Sequence, residues 1–336
     1  MANEAAEPIY GRLHDLAFDL VREASALNAC LQPRVADALA EAIRAVNARY
    51  SGLIDDGVEA CAHIAIERRI DSGGAMEAHP ASATFLGQVY RELYGFEGLA
   101  GDLRRFEDVY TAVPGQFRQV LAVPASYHRL MQIQPFAHGN GPVARLMAHA
   151  LLMRLRIGGL WSLARALGRE LPRYRELVAA PGDSDETGIF GNQALMEFCR
   201  FFLATAIDEV RGMRSLFDLA ALLERVEVYC KEERDAGRLP EGCYPVLREV
   251  LLRGELPRAE VESLVPFRER KARQISSSLR ERGLLVSNGV RAALLPAFPE
   301  NVVERWFSGL GPGGGPLPGA DLRDSAALLD IMDERG

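Results

Sequence analysis

Apolar residues recur three and four positions apart along most of the first 283 residues, and almost none of this stretch alternates at every second position. A spacing of three and four places apolar side chains on one face of an α-helix, whereas a half-buried strand needs a period of two. The sequence therefore predicts a mainly α fold with an all-helical body. Helices are expected near residues 8–28, 33–50, 58–69, 81–94, 103–112, 116–131, 142–156, 160–167, 170–179, 192–212 and 214–236.

The pattern changes after Gly242. Three more helices are expected at 243–254, 256–265 and 268–282, followed by a short alternating stretch that turns at Asn288-Gly289 and returns from Val290. The order of three helices and a hairpin is typical of a small winged helix-turn-helix domain. The Gly- and Pro-rich residues 309–319 predict a flexible linker, and residues 320–334 could form a short amphipathic helix.

Charge and composition narrow the class of protein. The chain has 336 residues and a net charge of −7, which argues against broad, sequence-blind binding of nucleic acids. The first residues lack the basic and apolar regions of a signal peptide, and no apolar run reaches the roughly 20 residues of a membrane helix. The five cysteines are scattered without metal-binding spacing. A cytoplasmic protein with reduced thiols and no membrane partner is expected.

The segment 133–145 carries the strongest functional signal. A Gly139-Asn140-Gly141 turn runs directly into an apolar helical pattern that begins near Val143. Glycines at a helix start let backbone N–H groups gather around an anion, and the helix N-terminus adds about half a positive charge. This geometry suits a nucleotide phosphate, although a Gly-x-Gly before a helix is by itself also compatible with a plain turn.

The full segment resembles the signature loop of the Fic (filamentation induced by cAMP, or Fido) family, H-x-F-x-[D/E]-G-N-G-R-x-x-R. The resemblance extends over roughly residues 10–300 and is closest to bacterial members with a C-terminal winged helix. The family residues are present at Phe136, Gly139, Asn140, Gly141 and Arg145. Three positions depart from the motif: Gln134 stands for the histidine, His138 for the acidic residue and Pro142 for the first arginine.

These departures affect the family's chemistry. In Fic proteins, the motif histidine takes a proton from a target hydroxyl that attacks the α-phosphate of ATP, and AMP is transferred to protein. A carboxamide such as Gln134 is no base near neutral pH, and loss of a general base costs ~10²–10⁴ in rate. The acidic residue of the family motif holds Mg²⁺, which prefers oxygen ligands, and the imidazole at the corresponding His138 offers none. We therefore expect a catalytically impaired adenylyltransferase-like protein, a pseudoenzyme that binds ATP weakly and does not need Mg²⁺.

Two other functions remain open from the sequence. One is an active AMP or other phosphoryl or nucleotidyl transferase that uses a non-standard base, for which His138 is a candidate, although a local hydrogen bond explains this histidine equally simply. The other is a DNA-binding transcriptional regulator whose helical body acts as a sensor or dimerisation scaffold. The sequence also leaves a homodimer open.

An upstream segment, Tyr50-Ser-Gly-Leu-Ile-Asp-Asp-Gly, resembles the family's inhibitory helix motif, [S/T]-x-x-x-E-[G/N]. Ser51 and Asp55 stand at its serine and glutamate positions. The resemblance implies that Asp55 pairs with Arg145 and blocks a phosphate position. Aspartate is one methylene shorter than glutamate, and simple solvation of Asp55 is the alternative.

The expected recognition helix of the winged domain is basic. Arg268, Arg270, Lys271 and Arg273 suit contacts to DNA phosphates. The alternatives are a solvated helix, because Glu269 and Glu281 are interleaved, and a protein-docking module. Arg270 and Arg273 are expected to share one face, with Lys271 beside them.

The predicted organisation has four parts. Residues 1–75 hold the N-terminal helices with the inhibitory-like segment, 76–238 the Fic-like core, 239–308 the winged helix and 309–336 a flexible tail. One family element is missing from the expected core, since the stretch between Tyr94 and Arg104 is too short for the β-hairpin flap that docks the target peptide.

Overall fold

The computed structural model describes residues 6–55, 57–73, 77–98, 101–180, 193–289 and 291–310. The prediction of a mainly α fold is confirmed, because these residues form fifteen α-helices, one 3₁₀ turn and a single pair of short strands. None of the helices is both long and apolar enough to cross a membrane. No strand is present in residues 95–98 and 101–103, where the sequence leaves no room for a flap.

The helical body follows the predicted order, with ends shifted by up to five residues. Its helices are α1 (Ala6–Ala29), α2 (Pro33–Ile54), α3 (Ala60–Asp71), α4 (Ala83–Tyr94), α5 (Arg104–Thr111), α6 (Gln116–Ile133), α7 (Asn140–Arg154), α8 (Leu163–Arg169), α9 (Leu171–Ala179), α10 (Gln193–Leu216) and α11 (Leu219–Asp235). Helix α7 begins at Asn140, two residues before the predicted start, because the Gly139-Asn140-Gly141 turn itself enters the helix.

The C-terminal elements differ more from the expectation. They are α12 (Cys243–Arg253), a 3₁₀ turn (Arg258–Glu260), α13 (Val261–Leu264), α14 (Glu269–Glu281), β1 (Leu285–Val286), β2 (Leu295–Pro296) and α15 (Glu300–Trp306). The predicted helix 256–265 is thus a 3₁₀ turn and one short helical turn, starting after Pro257. Strands β1 and β2 are antiparallel, with Leu285 opposite Pro296 and Val286 opposite Leu295, so the return strand pairs later than predicted.

The last predicted elements can be compared only in part. Helix α15 was not predicted, and its Trp306 is 1% exposed. Leu310, inside the predicted linker 309–319, is also buried. The rest of that linker and the predicted helix 320–334 lie outside the described residues.

The chain divides into two compact units. The described part of the first comprises residues 6–25 and 44–211 with the gaps given above, and the second comprises 26–43 and 212–310. This division differs from the predicted boundary at 238/239, because α11 packs against α12 and α15 and so belongs to the second unit. Helices α1, α2 and α10 contribute residues to both units.

The core of the first unit is the pair α6–α7. Residues 120–128 of α6 and 141–150 of α7 are buried without interruption. A helix that is buried on all sides carries little amphipathic pattern, and α7 is enclosed by α3, α4, α6 and α8. The turn 134–139, which joins α6 to α7, is therefore held at both ends by deeply buried helices.

Candidate functional site

The turn between α6 and α7 is fixed by its own side chains. Gln134 ends α6 in a left-handed conformation, with φ at 46°, and Gly139 has φ at 71°. The side-chain oxygen of Asn140 accepts a hydrogen bond from the N–H of Phe136 at 3.0 Å, and its amide donates to the Phe136 carbonyl at 2.7 Å. These two bonds close the turn across α7's first residue, so its backbone is organised without a ligand.

Two glycines of the turn are required by close approaches. A Cβ atom at Gly139 would lie 2.4 Å from the hydroxyl of Tyr94. A Cβ atom at Gly141 would lie 2.2 Å from Oδ2 of Asp55. The Asp55 carboxylate therefore rests directly against the first turn of α7, where the positive end of the helix dipole favours an anion.

Arg145 lies one turn into α7 and is held from α2. Its Nε donates to the Ser51 hydroxyl at 2.9 Å, and its Nη2 donates to the Ser51 carbonyl at 3.2 Å and to Asp55 Oδ2 at 2.7 Å. The prediction that Asp55 pairs with Arg145 is confirmed. The third nitrogen, Nη1, is buried, makes no close hydrogen bond among the described residues and lies 3.3 Å from the ideal Cβ position of Gly141, and the Tyr174 hydroxyl also interacts with this guanidinium.

The two members of this pair differ sharply in exposure. The Arg145 side chain is 2% exposed, and that of Asp55 is 41% exposed. The carboxylate thus lies between solvent and a buried cation. Asp55 is not simply solvated, since it occupies the position in which an external anion would meet both Arg145 and the start of α7.

Gln134 lines a cleft of about 310 Å³ beside Asp55. Gln132 and Arg175 contribute further polar groups, and Ile54, Met131 and Val178 form an apolar side. His138 is not among the residues that line this cleft. The residues at the family's histidine and acidic positions therefore have separate surroundings.

His138 is exposed and packs among aromatic rings. Its ring centroid lies 4.9 Å from that of Tyr94, 5.7 Å from Tyr90 and 5.8 Å from Phe96. The Tyr90 hydroxyl lies 3.4 Å from Nε2, at the long end of hydrogen bonding. Phe136 is buried and stacks on Tyr90 at 4.3 Å. The signature motif does not contain Tyr90 and Tyr94. Their spacing of four residues at the end of an amphipathic helix could have indicated from the sequence that both rings lie on one face.

A second pair of tyrosines lies behind the site. The hydroxyls of Tyr127 and Tyr174 are 2.7 Å apart, and both side chains are buried. Burial raises the pKa of each above the ordinary value of tyrosine, so both remain protonated hydrogen-bond donors at neutral pH. Sequence analysis missed this pair as well, because it joins α6 to α9 across 47 residues.

The donor set at the turn fits a phosphate better than a divalent metal. Within the described ranges, no three His, Cys, Asp or Glu side chains are arranged to hold a metal ion. The one carboxylate at the turn, Asp55, is bonded to Arg145, and magnesium requires oxygen ligands. A guanidinium and backbone N–H groups at a helix start are the groups that bind phosphate.

The four basic residues of the expected recognition helix have different surroundings. Arg268 precedes α14, and Arg270 is exposed on its first turn. Lys271 packs over the ring of Phe267 at 3.4 Å and lies 3.6 Å from Glu241, with its side chain 39% exposed, so its place beside the arginines stays a prediction. Arg273 is exposed but pairs with Glu269. Arg280, which the sequence analysis did not single out, is also exposed.

A scan against protein-family models found no match for this chain, and a search of curated proteins found none either. The likeness to the Fic signature therefore rests on the motif residues themselves.

Proposed function

We propose that this chain is a Fic-like protein that binds a phosphate or nucleotide and acts as a regulator without transferring AMP. One observation carries the proposal. The buried guanidinium of Arg145 faces the start of α7 with one nitrogen that makes no close hydrogen bond among the described residues, and the carboxylate that covers it is partly exposed. An internal carboxylate at this position acts as a built-in competitor for an external anion.

The electrostatics support exchange of Asp55 for a phosphate. A buried cation must be paired, and removal of its only anionic partner leaves an uncompensated charge. A phosphate satisfies the same requirement and brings more charge and more acceptor oxygens than one carboxylate. Since Asp55 is 41% exposed, its side chain can turn into solvent without crossing packed structure. Binding is then weakened by the competition with Asp55.

The surroundings of the turn argue against adenylyl transfer. Gln134 lines the cleft but cannot accept a proton near neutral pH. His138 packs among Tyr90, Tyr94 and Phe96 and does not line that cleft. A general base must come within hydrogen-bond reach of the hydroxyl that it activates, so neither group is suitably placed for a target bound in the cleft.

The proposal is tested by separating binding from transfer. Calorimetric titration with ATP should detect weak binding that is nearly equal with and without Mg²⁺ and that is lost in Arg145→Met. Incubation with α-labelled ATP and a cell lysate should transfer no label. Tight, Mg²⁺-dependent binding would overturn the metal argument, and label transfer that disappears in Gln134→Ala would overturn the assignment as inactive.

A second function, contact of α14 with nucleic acid, is favoured by one observation. Arg268, Arg270 and Arg280 are exposed, and none of them has an ion-pair partner among the described residues. Duplex DNA of random sequence should then bind at low salt, and Arg270→Gln should reduce the salt dependence by about one phosphate contact. Arg248→Gln on α12, an arginine paired with Glu249, is the matched control. If no duplex binds at low salt, α14 is a packing or protein-docking helix.

A further inference from the structure

The cleft beside Asp55 has the chemistry to hold the rest of an anionic ligand. It measures about 310 Å³, at the lower end of the roughly 300–1,000 Å³ usual for small-molecule sites. Ile54, Met131 and Val178 give it an apolar side, while Gln132, Gln134 and Arg175 are polar residues that line it. A compact organic group suits this space, whereas a whole nucleoside triphosphate would extend beyond it.

Arg175 supplies a second cation at the same cleft. Its Nη2 donates to the carbonyl of Ile54 at 3.4 Å, so the guanidinium lies next to the residue that precedes Asp55. Arg175 is exposed and has no ion-pair partner among the described residues. A long hydrogen bond to a neutral carbonyl leaves most of its donors available.

The two arginines together point to a doubly charged group. Arg145 does not itself line the cleft and lies behind Asp55, which does, whereas Arg175 lines the cleft next to Ile54. A phosphate monoester carries about −1.5 to −2 charges at neutral pH and three strong acceptor oxygens, enough to contact two guanidinium groups at once. A single carboxylate ligand carries one negative charge, which is no more than the charge that Asp55 already places beside Arg145.

We propose that the cleft binds a compact phosphate monoester with an apolar or aromatic body, whose phosphate contacts Arg175 as well as Arg145. This inference rests on the proposed function, because it requires that a phosphate displace Asp55. Gln134 then contacts the ligand as a hydrogen-bonding group and not as a base. The organic body lies against Ile54, Met131 and Val178, and Arg175 selects for the dianion.

The test uses full-length Asp55→Asn protein, in which the competing charge is absent and the side-chain shape is kept. Phenyl phosphate and inorganic phosphate are titrated by calorimetry. Phenyl phosphate should bind about tenfold more tightly or better, since burial of a ring of this size is worth at least that factor. Arg175→Gln in the same background should weaken phenyl phosphate about tenfold, the usual effect of one lost charge-assisted hydrogen bond.

Arg173→Gln is the matched control. Arg173 is an arginine of the same helix that pairs with Glu176 at 2.7 Å and does not line the cleft, so its replacement should leave both affinities unchanged. Equal affinity for the two phosphates, or no effect of Arg175→Gln, would overturn this inference. The proposed function would still be upheld if the binding of either phosphate depended on Arg145. Failure of both phosphates to bind would overturn the proposed function and this inference with it.

Discussion

Gly141 is the residue at which the backbone of the turn and the charge of the site meet. A Cβ atom there would lie 2.2 Å from the Asp55 carboxylate and 3.3 Å from Arg145 Nη1. Its φ lies outside the left-handed region, so the requirement is for space and not for backbone freedom. In an ordinary helix position, alanine is favoured over glycine by roughly 0.5–1 kcal/mol. Gly141 is thus a helix residue at which the nearby Asp55 carboxylate and Arg145 guanidinium leave no room for a side chain.

This requirement predicts opposite effects for two glycine substitutions. Gly141→Ala should push Asp55 away from Arg145 and lower the free energy of unfolding by roughly 1–3 kcal/mol, the cost of a lost charged hydrogen bond. Gly87→Ala in α4, where an added Cβ meets no atom within 4 Å, should raise it by about 0.5–1 kcal/mol. Urea unfolding of both variants measures the difference. Equal effects of the two substitutions would show that Asp55 does not constrain Gly141.

At the scale of elements, α11 organises the second unit through one glutamate. The Glu233 side chain is 3% exposed and accepts hydrogen bonds from Arg238, Arg282 and Arg305. The bonds from Arg238 and Arg305 outweigh burial and hold the pKa of Glu233 at about 2. Arg238 and Arg282 follow α11 and α14, and Arg305 lies in α15, so a single carboxylate links segments up to 72 residues apart.

Glu233 and its neighbour Glu232 form a matched pair for mutation. Glu233→Gln should destabilise the protein by about 1–3 kcal/mol, because three partly exposed arginines lose the charge of the carboxylate that accepts their hydrogen bonds. Glu232→Gln should change stability little, since Glu232 is 57% exposed and shares only Arg305. Thermal unfolding followed by circular dichroism compares the two variants. Similar melting temperatures for both would contradict a structural role for Glu233.

At the scale of the whole molecule, a buried polar seam runs through the first unit where α2, α3 and α7 meet. Glu67 receives a hydrogen bond from Asn47, and Asp71 contacts both Arg44 and His149. His63, four residues before Glu67, is 1% exposed; neither of its ring nitrogens is hydrogen-bonded among the described residues, and Nδ1 lies 3.9 Å from Oε1 of Glu67. Burial raises the pKa of Glu67 to about 7 and lowers that of His63 to about 3.

The shifted pKa values of Glu67 and His63 change the free energy of unfolding in opposite directions as the pH changes. The folded state holds the Glu67 proton more tightly than the unfolded state, so Glu67 costs stability as pH rises from 4.5 to about 7. The folded state keeps His63 neutral, so His63 costs stability as pH falls from 6.5 towards 3. The two contributions largely cancel between pH 4.5 and 6.5. Below pH 4.5, the loss from His63 remains.

Single substitutions of Glu67 and His63 should change the pH dependence of the free energy of unfolding in opposite directions. Between pH 6.5 and 4.5, Glu67→Gln should lose stability as the pH falls, because only the His63 contribution is left. His63→Leu should gain stability over the same range and should also be more stable than the parent, since it removes two buried nitrogens that are not hydrogen-bonded among the described residues. Chemical denaturation at a series of pH values measures both slopes. Parallel profiles for the two variants would contradict the assignment of these protons.

The local features were predictable from sequence, whereas the long-range ones were not. Helical spacing alone predicts α6 and α7, and the glycine turn predicts the start of α7 to within two residues. The Asp55–Arg145 pair, 90 residues apart, was predictable only from the resemblance of two short motifs to one family. The ring contacts of His138, the Tyr127–Tyr174 pair and the cleft with Arg175 depend on how α4, α6 and α9 pack, which no local pattern encodes. The contacts of Lys271 with Phe267 and Glu241 were not predictable for the same reason.

The proposed anion site, built by Arg145 and the start of α7 and occupied by Asp55, predicts an order of affinities for inorganic pyrophosphate. Calorimetry measures this affinity for the parent protein, Asp55→Asn and Arg145→Met. We expect Asp55→Asn to bind about tenfold more tightly than the parent, since removing an internal competitor raises the fraction of open sites. We expect Arg145→Met not to bind. Equal affinity of the parent and Asp55→Asn, or binding that survives Arg145→Met, would contradict the account.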